Sequence, residues 1–155
     1  MGRPKTVITV TASRAIAAPP ERLWELVSDT NRYAEWVEGT AAVSRPAGPA
    51  RIGTTYEEIN PIAGPWRATA RWTVVEFDPP RRQVHRSEDI PIASEFLVII
   101  ELAPSGGGSE ITVTLQATSS LGLLGACACR VLAGRTRRDN ERTVRNLAVL
   151  AAREL

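Results

Sequence analysis

The chain has 155 residues, the usual size of one domain, so we expect a single domain over residues 1–155 in which residues 1–5 form a flexible N-terminus. A composition of 43% hydrophobic and 23% charged residues is typical of a globular protein, and a net charge of +2 argues against nucleic-acid binding. No apolar run approaches the roughly 18 residues needed to span a bilayer, and no signal peptide is recognisable. We therefore expect a cytoplasmic protein without stable membrane insertion.

The first predicted element is a β-strand at residues 6–16, where β-branched residues alternate with polar ones. Two prolines then predict the first turn of a short helix, because a missing backbone N–H costs nothing there. That helix carries Trp24, which we expect to be a core residue. The sequence "SDTN" ends it, and a second short helical turn is expected to end near Trp36.

The middle of the chain predicts a series of antiparallel strands. Turns rich in proline and glycine separate the strands, and no helical pattern lies between them, which argues against parallel β-α-β wiring. The six predicted strands are residues 41–45, 54–60, 66–77, 84–88, 94–102 and 110–119.

The last part of the chain, from about Leu123 onward, has helical periodicity with apolar residues at i, i+3 and i+4 spacing. A helix of about 30 residues would be about 45 Å long and could cross a whole sheet. A sheet covered by one such helix must curl around it to bury its apolar face. The pattern therefore predicts an α+β fold in which helix and sheet enclose a cavity.

Five motifs carry a resemblance to a known family. They are "IAAPPERLWELVSD" (16–29), "YAEW" (33–36), "IGTTY" (52–56), "WTVVEFDPPRR" (72–82) and "GGGSEITVT" (106–114). In this order they resemble the START/Bet v 1-like (SRPBCC) superfamily, and more narrowly its polyketide cyclase/dehydrase branch. The resemblance implies a helix-grip fold: a curved antiparallel sheet of about seven strands, two short helices and one long C-terminal helix.

The resemblance implies a ligand but does not fix a reaction, because the superfamily contains both carriers and enzymes. Our first hypothesis is a protein of secondary metabolism that binds an apolar or aromatic small molecule as a cofactor-free polyketide cyclase/dehydrase. The alternative is a non-catalytic carrier of a lipid or isoprenoid. A third hypothesis is an interaction module that acts through the basic face of the last helix. Whether the protein is an enzyme stays open, as does the choice between monomer and homodimer.

Three residues are candidate catalytic groups. Tyr56 and Glu58 share one face of a predicted strand, and a carboxylate facing a cavity would have a raised pKa suited to proton transfer. If Ile59 marks the inner face instead, Glu58 is solvated. His85 is the only histidine, and a neutral imidazole in a cavity could act as a base, although a lone histidine is more often superficial or structural.

Candidate ligand-binding residues are mostly aromatic. Trp66 and Trp72 share one face of a strand with two alanines between them, so the indoles could bound an apolar pocket that the alanines leave open. Helix side chains could fill that space instead. Trp36 is either a core residue or a ligand contact. Phe96 is assigned to the same wall. Arg138 could bind a carboxylate or enolate oxygen, or lie on a solvated face.

Several kinds of site are not expected. The sequence has no nucleophile elbow, phosphate loop or glycine-rich dinucleotide fingerprint. Cys127 and Cys129 point in different directions on a helix and are interpreted as small buried residues. With a single histidine they predict no metal set, so we expect neither a metal nor a cofactor.

Overall fold

The computed structural model describes residues 5–44, 48–90, 93–119 and 121–155, and in the strands and helices it leaves undescribed the side chains at positions 62 and 129. Most of the predicted flexible N-terminus and position 45 of the predicted second strand therefore lie outside the described residues. The elements, in chain order, are β1 (Thr6–Ile16), α1 (Pro20–Val27), a 3₁₀ turn (Thr30–Arg32), α2 (Tyr33–Trp36), β2 (Ala42–Val43), β3 (Thr55–Ala63), β4 (Trp66–Asp78), β5 (Arg82–Ser87), β6 (Glu95–Ser105), β7 (Gly108–Ser119) and α3 (Gly122–Glu154).

The seven strands form one antiparallel sheet in the order β1-β7-β6-β5-β4-β3-β2, with β1 and β2 at its edges. From β2 to β7 each strand pairs with the next along the chain, as the serial turns predicted. The turn between β6 and β7 is tighter than expected. Gly106 and Gly107 alone form it, with φ angles of 52° and 85°. Two consecutive positive φ values match the twist of the paired strands, and glycine adopts them without strain.

Helix α3 has 33 residues and lies mainly across β1 and β7. Its C-terminal half carries the predicted apolar stripe, in which Val144, Leu147 and Ala151 are buried. Its first turns lie largely outside the core, since Leu123 and Leu124 are each 85% exposed. The long predicted helix is therefore confirmed, but only its second half closes the core.

Helix α1 packs its apolar face into the core. Leu23 and Val27 are completely buried, and the Trp24 ring lies 5.4 Å from that of Phe77. The expectation that Trp24 is a core residue is confirmed. Helix α1 begins at Pro20, which needs no hydrogen-bond acceptor at that position.

The loop after α2 is tied to α3 through Glu38. Its backbone N–H donates to Thr143 Oγ1 at 2.9 Å, and its carboxylate accepts from Arg142 at 3.2 Å and from Asn146 at 3.3 Å. A second link joins the Arg32 guanidinium to Glu35 and Glu154. These contacts hold α2 and its loop against the helix, and so define one side of the space beneath it.

Candidate functional site

A cavity of about 380 Å³ lies between the sheet and α3. Aromatic and aliphatic side chains form most of its wall, and a few polar groups reach into it. The residues that line it include Tyr33, Trp36, Thr40, Tyr56, Glu58, Trp72, His85, Phe96 and Asn140. Such a space, mainly apolar with a few convergent polar groups, is typical of a small-molecule site.

Two candidate catalytic residues are joined inside this cavity. Tyr56 on β3 and His85 on β5 point to the same side of the sheet, and the Tyr56 hydroxyl lies 2.7 Å from His85 Nδ1. His85 is only 1% exposed, which excludes the superficial position considered above. Burial lowers the pKa of His85 to about 3, so the imidazole is neutral near pH 7.

The pair offers a free hydrogen-bond donor in either tautomer. If Nδ1 carries the proton, it donates to the tyrosine oxygen and leaves the Tyr56 hydroxyl free to donate; if Tyr56 donates, the proton lies on Nε2. Nε2 has no hydrogen-bond partner among the described residues. Burial also raises the pKa of Tyr56 well above its ordinary value, so the phenol keeps its proton.

Glu58 lies two residues after Tyr56 and faces the same cavity. It is 7% exposed, so the solvated alternative does not apply, and Ile59 is the residue on the opposite face. Burial raises the pKa of Glu58 to about 7, although the Thr40 and Trp72 side chains act in the opposite direction. Near neutral pH this carboxyl is therefore present in both its protonated and its ionised form.

Tyr33 is a site residue that the sequence argument missed. Its ring lies 5.3 Å from Tyr56 and 5.9 Å from His85, and its buried hydroxyl has no hydrogen-bond partner among the described residues. Burial and the nearby charge of Glu58 raise the pKa of Tyr33. The signal was present: Tyr33 precedes Trp36 by three residues and therefore shares its face of α2.

The ligand-binding candidates do not all lie at the cavity. Trp36, Trp72 and Phe96 line it, and the Trp72 and Phe96 rings are 6.3 Å apart. Trp66 does not: it is 72% exposed at the first residue of β4. The predicted inward face of this strand becomes buried only from Ala70 onward.

Arg138 also lies outside the main cavity. Arg138 is exposed and lines a neighbouring surface groove. The α3 residues that line the cavity are Arg135, Thr136, Asp139, Asn140 and Thr143. Asn140 is another residue that the sequence argument missed. Its side-chain amide donates to the carbonyls of Val10 at 3.2 Å and Val113 at 3.4 Å, which fixes α3 to the sheet.

Three further expectations concern metals, cysteines and membranes. Among the described residues, no group of three or more His, Cys, Asp or Glu side chains is arranged to hold a metal ion. Cys127 is exposed, so its interpretation as a buried residue is wrong; it lies on the uncovered first half of α3. None of the helices described here is both long and apolar enough to cross a bilayer.

Solved structures with the same architecture are numerous. A protein from Rhodobacter sphaeroides superimposes with a TM-score of 0.72 at 19% identity, covering 98% of this chain and 100% of its own. Ara h 8.0201 gives 0.69 at 12% identity, with coverages of 96% and 100%. The di-domain ARO/CYC StfQ of the steffimycin biosynthetic pathway gives 0.77 at 13% identity, covering 95% of this chain and 51% of StfQ.

At these identities the similarities establish the fold, which is the Bet v 1-like helix-grip fold expected from the sequence. No curated protein sequence matches the chain. The family described as polyketide cyclase/dehydrase and lipid transport matches residues 7–151, nearly the whole chain. The resemblance noted in the sequence is thus confirmed, and this chain belongs to the polyketide cyclase/dehydrase and lipid-transport family.

Proposed function

We propose that the protein binds an oxygen-bearing apolar or aromatic molecule in the cavity and promotes its cyclisation or dehydration by proton transfer. One observation carries the proposal. The buried Glu58 carboxyl, with a pKa of about 7, and the hydrogen-bonded Tyr56–His85 pair line the same apolar cavity. A group whose pKa lies near the working pH is the most effective general acid or base.

The polar atoms in the wall support a ligand that carries oxygen. Tyr33 Oη, Trp36 Nε1 and His85 Nε2 are buried without hydrogen-bond partners among the described residues, and all three side chains line the cavity. Buried polar atoms are normally paired, so carbonyl or hydroxyl oxygens of a ligand would relieve this deficit. A hydrocarbon chain has no such oxygens and would leave these polar atoms unpaired.

The proposed chemistry needs no cofactor. Ionised Glu58 removes a proton from carbon next to a ligand carbonyl, and the electron pair of that C–H bond forms an enolate whose oxygen the Tyr56–His85 pair holds by a hydrogen bond. The enolate carbon attacks a second carbonyl, and protonated Glu58 returns its proton to the resulting alkoxide, which becomes a hydroxyl. For dehydration, ionised Glu58 then removes a second proton from the same α-carbon and gives it to that hydroxyl, which leaves as water while the electron pair of the C–H bond forms the C=C double bond. Confinement in the cavity brings the two reacting carbons together.

His85 has a smaller role in this scheme than the sequence suggested. An imidazole with a pKa of about 3 is a weak base at neutral pH, and protonating it inside the cavity would be costly. We assign His85 the role of positioning Tyr56 by a hydrogen bond. We assign proton transfer to Glu58.

The first test is ligand binding followed by proton transfer. Nile red, a neutral apolar dye, is expected to bind saturably at about one site per chain, measured by fluorescence titration. The protein should then accelerate exchange of the α-protons of 2-tetralone in D₂O, followed by NMR. Glu58→Gln should lower that rate by roughly 10²-fold or more, since a positioned acid–base group contributes about 10²–10⁴.

The matched control is Glu57→Gln, an identical chemical change one residue away. Glu57 pairs with Arg71 outside the cavity, so exchange should remain at the wild-type rate. The wild-type rate should rise with pH through about 7, because the ionised carboxylate is the base.

The alternative function is a non-catalytic carrier of a lipid or isoprenoid. The apolar walls support it, as does lipid transport in the family description. Saturable Nile red binding without any protein-dependent exchange of 2-tetralone would favour the carrier. Absence of Nile red binding would contradict both functions.

A further inference from the structure

The cavity continues into a surface groove that has a different chemical character. The two hollows share Glu38, Gly39, Pro61, Arg135 and Asp139, so these residues form the mouth of the cavity. Beyond the mouth, the groove is lined on one side by exposed residues of α3, including Arg138 and Arg142. The cavity and the groove are therefore adjacent at these five residues.

The geometry of α3 places the two environments side by side. Thr136, Asn140 and Thr143 recur at helical spacing and reach into the cavity. Arg135, Arg138 and Arg142 also recur at helical spacing, on the adjacent face of α3, and line the groove. One molecule can therefore contact the apolar interior with one end and the arginine face with the other.

Ion pairing leaves one positive charge in the groove. Arg142 lies 3.2 Å from Glu38, and Arg135 lies 3.9 Å from Asp139. Arg138 forms no ion pair within the part of the chain that the structure describes. Three arginines against two carboxylates leave a net charge of +1, and Arg138 is the guanidinium available to a ligand. Asp89 lines the cavity but not the groove.

We infer that the natural ligand is an amphiphile whose apolar body fills the cavity and whose anionic end, a carboxylate or a phosphate ester, binds Arg138 in the groove. The inference rests on the proposed function, because it assigns the second end of the same ligand. Guanidinium groups suit this purpose, since their planar set of donors matches carboxylate and phosphate oxygens.

The test is displacement of Nile red by three compounds with the same tail: decanoate, decyl phosphate and 1-decanol. The measured quantity is the preference for an anion, defined as the half-displacing concentration of decanol divided by that of the acid. Arg138→Gln should lower this preference about three- to tenfold for one acid or both. The preference of the wild type should also fall in 0.5 M salt, because exposed charges are screened.

The control variant is Arg137→Gln, which removes the same charge from the adjacent residue. Arg137 lines neither hollow, so the anion preference should remain at the wild-type value. If Arg138→Gln lowers the preference for decanoate alone, the ligand is a carboxylate. If it lowers the preference for decyl phosphate alone, the ligand is a phosphate ester.

An unchanged preference in Arg138→Gln, or an equal loss in both variants, would overturn the inference. In that case Nile red and decanol would still bind, so the proposed function would stand; loss of wild-type dye binding would instead remove the proposed function itself.

Discussion

Two buried tyrosines in the cavity differ in one respect that mutation can measure. The Tyr56 hydroxyl is hydrogen-bonded to His85, whereas the Tyr33 hydroxyl has no partner among the described residues. The rings are equally buried, at 4% and 2% exposure, and they contact each other edge to face. Differences between their phenylalanine variants therefore report on the hydroxyl groups alone.

Tyr56→Phe should destabilise the protein by about 1–2 kcal/mol, because it removes a buried hydrogen bond and leaves His85 Nδ1 unpaired. Tyr33→Phe should leave stability within about 0.5 kcal/mol of the wild type or raise it, since it removes a polar atom that pays a desolvation cost without a bond. Urea denaturation followed by tryptophan fluorescence measures both. Equal losses in the two variants would contradict the hydrogen-bond assignment.

The residues of the site show what the sequence could and could not predict. Period-two alternation placed Tyr56 and Glu58 on one face correctly, because a strand fixes which neighbours share a side. It could not decide whether that face was the inner one, since Ile59 on the opposite face is also apolar. Arg138 was assigned to ligand binding and Asn140 was overlooked, because the rotation of α3 over the sheet depends on tertiary packing.

At the scale of elements, α3 combines two halves with different surroundings. Leu147 is completely buried, whereas Leu124 is 85% exposed on the same helix. Helical propensity is nearly the same at the two positions, so the difference between them is tertiary contact.

Leu147→Ala should lower the free energy of unfolding by about 3 kcal/mol, because it leaves a cavity in the core. Leu124→Ala should change it by less than about 0.5 kcal/mol. Urea denaturation measures both values, and hydrogen exchange should be faster near Leu124 than near Leu147. A large loss in Leu124→Ala would mean that the first half of α3 is covered in solution.

The existence of each strand was predicted more accurately than the residues at which it begins and ends. All six serial strands were predicted, and proline and glycine marked the turns between them. The predicted turns after β3 and after β6 were too long, because β3 continues to Ala63 and the strands around Gly106–Gly107 continue to the two-residue turn. Trp66 was placed at the site for a related reason: the alternation along β4 continues into its exposed first residues.

For the whole molecule, two buried titratable groups oppose each other in the pH dependence of folding. Glu58 has a folded pKa of about 7 against an ordinary value of 4.5, so it binds more protons when folded and lowers stability as pH rises between these values. His85 has a folded pKa of about 3 against 6.5, so stability falls as pH drops through that range. Between pH 4.5 and 6.5 the two contributions largely cancel.

Glu58→Gln should separate these contributions. The stability of the variant minus that of the wild type should increase as pH rises from about 4.5 to about 7, by on the order of 3 kcal/mol, and stay constant above pH 7. Urea denaturation at half-unit pH intervals gives this difference, in which the other carboxyl groups cancel. A difference that does not vary with pH would show that Glu58 is ionised and solvated in the folded protein.

The open sheet also determines how the molecule behaves when it is concentrated. The edge strand β2 has only two residues, which is too short to recruit a strand from another chain. At the opposite edge, β1 is eleven residues long. Arg14 gives this strand an exposed positive charge, and α3 packs against the strand. Charge and coverage on a long edge discourage the strand pairing between molecules that begins aggregation. An open curved sheet is thereby protected from edge-to-edge pairing with a second molecule.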